Sequence, residues 1–187
     1  MAGESSGTVY VIGHKSPDTD SVASAIAYAH LKNALGEKNV VSAVAGEINS
    51  ETKFILEAFG VKKPEVLKSA SGKKLILVDH NEAGQAVDGF GEAELLEVVD
   101  HHKIGGIKTG NPIFFHNEPL GATGTIIASF YEQNGVEIPK EIAGLMMAAI
   151  LSDTVLFKSL TCTEIDKKAV ETLAKLCGRD PMSFGLE

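Results

Sequence analysis

Apolar residues arrive in two rhythms along this chain. Short β-branched runs closed by glycine or aspartate recur in its first half: TVYVIG (8–13), VVSAVAG (40–46), KKLILVD (73–79) and LLEVVD (95–100). Unbroken runs of this length read as strands covered on both faces, the habit of a parallel sheet. NPIFFHNE (111–118) predicts a fifth strand, near an edge because Pro112 removes a ladder donor. Helical periods separate the first of these runs. SVASAIAYAHLKNALG (21–36) places small and apolar residues at 22, 23, 26, 27, 31 and 35, with Asp20 or Ser21 as cap and Gly36 as stop. SETKFILEAFG (50–60) runs from Ser50 as N-cap to Gly60 as C-cap.

From residue 121 the pattern is helical throughout. GATGTIIASFYEQNG (121–135), PKEIAGLMMAAILSDT (139–154) and TEIDKKAVETLAKLCG (163–178) predict three successive helices. The middle one is apolar on nearly every side and should be buried. The expected fold class is α/β: a doubly wound, mostly parallel five-stranded sheet flanked by helices, with a helical C-terminal part, in a single domain over 1–187.

Composition narrows the function. At 187 residues, 44% hydrophobic and 22% charged, the chain can fill one core. Its 17 basic and 25 acidic residues give a net charge of −8, which argues against a nonspecific nucleic-acid binder. A small anionic substrate stays open if a bound cation reverses the local charge. Cys162 and Cys177 have no CxxC spacing and read as reduced intracellular thiols. MAGESSGT lacks the basic-then-apolar order of a leader, and no apolar run approaches the ~18 residues of a membrane span. A cytoplasmic protein without membrane contact is expected.

The chemistry gathers at the ends of the predicted strands. The first ends in His14, Asp18 and Asp20, the third in Asp79 within VDHNE, the fourth in Asp100, His101 and His102 within VVDHHK. The apolar helix carries Asp153 in AILSDT, where a carboxylate among Ala149, Ile150, Leu151 and Val155 needs a partner. In an open parallel sheet these strand ends share one edge, where ligands bind. Any one of these residues alone has an ordinary use: Asp18 or Asp20 as a helix cap, Asp79 as a turn former, the histidine pair as nothing in particular. Together, carboxylates and imidazoles without cysteine suit Mn²⁺, Co²⁺ or Fe²⁺ better than Ca²⁺, Mg²⁺ or structural zinc. Two histidines and four aspartates exceed the needs of one ion but fit two, with a bridging carboxylate and a shared, acidified water. His30 and His116 have no such context and read as surface or packing residues, and Thr109–Pro112 is a turn.

GHKSPDTDSVASA, VDHNE, VVDHHK and LSDTVLFKS, with PLGATGTII, together resemble the signature set of the DHH phosphoesterase superfamily. Within it the chain is similar to the N-terminal catalytic domain of the family II manganese-dependent inorganic pyrophosphatases. The resemblance implies that His14 and Asp18 hold one metal and Asp20, His101 and Asp153 a second, with Asp79 bridging. It implies His102 as proton donor to the leaving phosphate and Asp100 as the group that orients a histidine. Two Mn²⁺ (or Co²⁺) per site, Mg²⁺ arriving with pyrophosphate, in-line attack by a metal-bridging hydroxide and a homodimer follow from the same resemblance.

The family's smaller C-terminal domain, which clamps substrate with Lys and Arg, is not matched. Only Lys15, Lys103 and Lys158 stand near motifs, and the sole arginine, Arg179, is far from all of them. The expectation is therefore a metal-binding half, weakly active or inactive alone. Two rivals remain: a DHH-type phosphodiesterase of short oligonucleotides or cyclic dinucleotides, and a non-catalytic metal-binding or dimerising module.

Overall fold

A computed structural model describes residues 7–186 of the chain, so most of the MAGESSGT stretch read for a leader lies outside the described residues. Its centre is a parallel sheet of β1 (Val9–Ile12), β2 (Val40–Val44), β3 (Glu65–Val66), β4 (Lys74–Val78), β5 (Glu94–Asp100) and β6 (Phe114–Asn117). Spatial order is β3-β2-β1-β4-β5-β6, and every neighbouring pair is parallel. The sheet therefore has six strands, not the five expected. The extra one, β3, is two exposed residues after Pro64, too short and too polar to register as an apolar run. β6 lies at an edge, as Pro112 suggested.

Six α-helices lie among the described residues, four of them opened by a side-chain cap. α1 (Thr19–Ala34) starts earlier than expected: Asp18, not Asp20 or Ser21, is its N-cap, accepting from the Ser21 amide at 3.0 Å. That leaves the Asp20 carboxylate free for another use. α2 (Ser50–Ala58) is capped by Asn49 rather than Ser50, at 2.7 Å from the Thr52 amide, and ends at Phe59 with Gly60 just beyond. α3 (Thr123–Asn134) and α4 (Lys140–Asp153) are followed by α5 (Glu164–Cys177), opened by a Thr163–Asp166 capping box. A short α6 (Pro181–Phe184), capped by Asp180, was not expected.

The two faces of the sheet are covered differently. Helices α1, α3, α4 and α5 share one large core with Val11, Ile76, Val78 and Val99, and within it α4 is buried at every residue from Ile142 to Leu151. The opposite face, with Ile12, Leu75, Leu77 and Val98, is closed by crossover segments without α-helix through Ala70, Val87, Phe90 (in a short 3-10 turn, Phe90–Glu92), Ile107 and Ile113. After β1 the chain turns towards β2, and after β4 towards β5, so the strand order reverses between β1 and β4. A crevice opens at that reversal.

Both cysteines are free thiols, Cys177 buried and Cys162 partly so. His30 packs its ring on Tyr131, with Nδ1 at 2.8 Å from the tyrosine hydroxyl, and His116 pairs with Glu118 at 2.5 Å. No helix among the described residues is long and apolar enough to cross a membrane.

Candidate metal centre

The crevice collects all the strand-end residues. His14 lies just past β1, Asp18 caps α1, and Asp20 sits in its first turn. Asp79 follows β4 directly, in a left-handed backbone conformation (φ 62°) that turns its carboxylate back over the rim. Asp100 closes β5, and Asp153 is the last residue of α4, partly exposed rather than fully buried.

Two sets of donor atoms converge, joined by one carboxylate. His14 Nε2 stands 3.3 Å from Asp18 Oδ2 and 3.4 Å from Asp79 Oδ2. His101 Nε2 stands 3.4 Å from Asp79 Oδ1, 3.4 Å from Asp153 Oδ2 and 4.0 Å from Asp20 Oδ2. His14, Asp18 and Asp79 thus form one group able to hold a cation, and Asp20, Asp79, His101 and Asp153 another. Asp79 offers a different oxygen to each. A third grouping joins Asp79, His101 and His102.

The donor chemistry tests whether cations fit. His101 Nδ1 lies 3.0 Å from the Leu120 carbonyl, which can only accept, so the ring proton resides on Nδ1. Nε2 is then buried, has no hydrogen-bond partner among the described residues, and is aimed at three carboxylates, so that it calls for a proton or a cation. Acceptors facing acceptors repel unless something positive lies between them. Ligands about 2.0–2.2 Å from a shared cation are roughly 3–3.5 Å apart, the spacing seen for every pair above except His101–Asp20, at 4.0 Å. The residues fit divalent ions.

Charge balance says the same. Burial alone would lower His14 and His101, but the Asp18 and Asp79 carboxylates raise His14 to about 10, and Asp153 and Asp79 raise His101 to about 12. Burial opposes ionisation of Asp79, yet the His101 and His14 rings beside it hold it well below the usual carboxylate range. Asp20 is pushed upward by burial and by Asp79 and Asp153, and Asp153 upward by burial although His101 pulls the other way. The pocket binds protons where it lacks a stronger positive charge.

Surrounding groups hold these donors in place. Asp20 Oδ2 accepts from the Thr123 amide at 2.6 Å and Oδ1 from the Gly124 amide at 2.9 Å and Ser24 Oγ at 3.0 Å. The N-terminus of α3, which has no side-chain cap of its own, is thereby satisfied by an aspartate 103 residues away. Thr123 Oγ1 also donates to Asp79 at 3.1 Å. Asp166, fully buried, accepts from the Gly121 amide, from Thr125 Oγ1 at 2.6 Å and from Thr163, and so pins the loop that presents Leu120 and Thr123.

Sequence reasoning did not single out Thr123, Asp166 or Asn81. The TEID capping box signalled Asp166 as a helix-start residue, but nothing local signalled its reach to Gly121. His102 is half exposed at the mouth of the crevice, its Nδ1 2.9 Å from Asp100 Oδ1 and 3.8 Å from Asp79. Lys103 and Lys158 are exposed, and Lys15 pairs with Asp88 at 3.1 Å. Arg179 lies over the Phe184 ring at the far end of α5.

A parallel α/β domain with adjoining carboxylate–histidine clusters at its switch point defines a class: an α/β scaffold whose rim carries donor groups suited to divalent cations. Residues 8–150 match the N-terminal domain of the DHH family, and the chain belongs to that family. It is 70% identical over 179 residues to a manganese-dependent inorganic pyrophosphatase of Methanothrix thermoacetophila, covering 96% of this chain and 58% of that protein. A crystal structure from Methanococcus jannaschii, described as of a family II inorganic pyrophosphatase, superposes with a TM-score of 0.89 at 42% identity over 96% of this chain and 60% of the other. An exopolyphosphatase-related protein from Bacteroides fragilis shares the fold alone (TM-score 0.73, 16% identity, 96% and 55% coverage). The chain thus spans under two thirds of the length of the relatives it matches.

Proposed function

We propose that this chain is the metal-binding part of a manganese-dependent inorganic pyrophosphatase, cleaving diphosphate with water into two phosphates. The buried, unpartnered Nε2 of His101, facing the oxygens of Asp20, Asp79 and Asp153, carries the reading. His14 and Asp18 would hold one ion, Asp20, His101 and Asp153 the other, and Asp79 would bridge. A Mn²⁺ pair there supplies neutralisation of phosphate oxygens and acidification of a water. Carboxylates and imidazoles select such ions over Mg²⁺, which would enter with the substrate. The name and high identity of the Methanothrix relative support both metal and substrate.

The chain's own residues account for positioning and proton supply. The α3 N-terminus and Thr123 orient Asp20 and Asp79, and the Leu120 carbonyl fixes the His101 ring. His102 is positioned as the proton donor to the leaving phosphate. Its bond to Asp100 raises its pKa, keeping it protonated further into the neutral range, and its half-exposed ring faces the mouth where substrate enters.

Pyrophosphate also demands cationic clamps. Arg179 is occupied at the far end of α5 and Lys103 is exposed and loosely paired, so slow turnover by this chain alone is part of the proposal. A homodimer in the cytoplasm, as the resemblance implies, belongs to the same reading. β6 offers a free sheet edge with Phe114 and Phe115 exposed, which a second copy could cover.

Phosphate release from pyrophosphate and from a dinucleotide, by the Mn²⁺-loaded chain and by the longer Methanothrix relative, tests the proposal. Expected is pyrophosphate hydrolysis by both, slower for the chain by about 100-fold or more. Faster cleavage of the dinucleotide would replace the reading with a phosphodiesterase. Mn²⁺ binding without any hydrolysis by either protein would replace it with a metal-binding module.

A further inference from the structure

Asp100 is fully buried, and its two oxygens are held from two directions. Oδ1 accepts from the His101 amide at 2.8 Å, the His102 amide at 3.1 Å and His102 Nδ1 at 2.9 Å. Oδ2 accepts from the side-chain amide of Asn81, itself buried two residues past Asp79. The same Asn81 nitrogen donates to the Lys103 carbonyl at 3.0 Å, and its oxygen accepts from the Gly105 amide. A carboxamide is needed for this set, because it must donate to a carboxylate and a carbonyl while accepting from an amide. Aspartate could do only the last of these.

Gly105 shows the contact from the other side. A Cβ there would collide with Glu82 Cγ and crowd Asn81 Oδ1 and its backbone oxygen, so the loop approaches Asn81 as closely as a glycine permits. Asn117 secures the loop's start, donating from β6 to the His102 carbonyl at 2.8 Å.

We infer that Asn81 is the positioning residue for His102, acting through Asp100, and the anchor that holds the 103–105 loop beside the mouth of the crevice. This rests on the reading of His102 as the imidazole that faces substrate. With Oδ2 bound by Asn81, Asp100 keeps Oδ1 turned to His102 and accepts a hydrogen bond from its Nδ1–H. The other ring nitrogen, Nε2, then carries whatever proton is exchanged with a ligand. Without the Asn81 amide, Oδ2 is a buried carboxylate oxygen short of a donor, and the group rotates or takes up a proton. Either change frees the His102 ring. Metal-coordinating atoms are untouched, because Asn81 bonds none of them.

The test needs neither metal nor pyrophosphate. Imidazole nitrogen shifts of His102 in the metal-free chain, recorded by NMR at a pH where the ring is neutral, are expected to show the Nδ1–H tautomer, with the Gly105 amide protected from exchange. Asn81→Asp keeps the shape and the Gly105 acceptor but not the donor, and Asn81→Leu keeps the shape alone. Both are expected to lose the Nδ1–H preference, and only Asn81→Leu to expose the Gly105 amide fully. An Nε2–H tautomer in the unaltered chain, free exchange of its Gly105 amide, or an unchanged tautomer in both variants would each overturn the inference. Because the first two measurements use the unaltered chain, misfolding of a variant cannot hide the answer. Failure here also stays separate from failure of the hydrolase reading, which the phosphate-release assay decides.

Discussion

The two donor clusters share Asp79 yet are built in opposite ways. His14 and Asp18 come from one short segment between β1 and α1, four residues apart, and the Asp18 side chain is 44% exposed. Asp20, His101 and Asp153 come from three elements far apart in the chain, and their near neighbours are the α3 amides, Ser24 and the Leu120 carbonyl. The first cluster is an open clip made by a local turn. The second is a cage whose donors cannot move without disturbing α1, α3 and α4. Preorganisation should show as tighter, slower-exchanging ion binding in the second and looser binding in the first.

The sharpest way to break this comparison is to remove what the clusters have in common. Asp79→Asn should weaken both sites together, by about 100-fold or more in Mn²⁺ affinity measured by titration calorimetry. Loss at only one site would show that Asp79 does not bridge.

Acidity comes next. In the metal-free protein His14 and His101 hold protons up to about 10 and about 12, against 6.5 in an unfolded chain. Raised values mean that these protons stabilise the metal-free fold fully below pH ~6.5. That contribution fades as pH climbs through the two folded values. The metal-free melting temperature should therefore decline from pH 7 towards 10. Mn²⁺ must displace the same protons, so its affinity should rise over that window, with proton release visible when buffers of different ionisation enthalpy are compared. A pH-independent affinity would contradict the charge picture.

Asp166 offers a test of the cage alone. Asp166→Ala frees the Gly121–Thr123 loop, and a loss of about 2–4 kcal/mol in denaturant unfolding is expected from the unpaired buried donors. The second cluster should weaken and the first stay as it was. The smallest effect belongs to Asp18→Asn, which keeps the helix cap: about tenfold weaker binding at the first cluster only.

Much of this architecture was readable before any coordinates. The strand runs at 8–13, 40–46, 73–79 and 95–100 and the three later helices lie where apolar rhythm put them, because burial on both faces demands unbroken apolar runs. Other features escaped, α6 and the Asn49 cap of α2 among them. β3 is too brief to leave a pattern. Of the candidate caps Asp18, Asp20 and Ser21, Asp18 proved to be the one, since within DTDS any side-chain oxygen can cap and only the backbone chooses. Asn81 and Asp166 were invisible as anchors because the partners they tie down lie 19–24 and 41–45 positions away.

Sequence by itself determined the α/β class, the membership of strand ends in one rim and the chemical type of the donors. These depend on periodicity and residue identity, which are local properties. Tertiary structure alone decided how the donors are held: Asp20 on the foot of α3, the His101 Nε2 without a partner, Asp100 locked by Asn81. Such facts are distances between atoms on different elements, and no local pattern contains a distance.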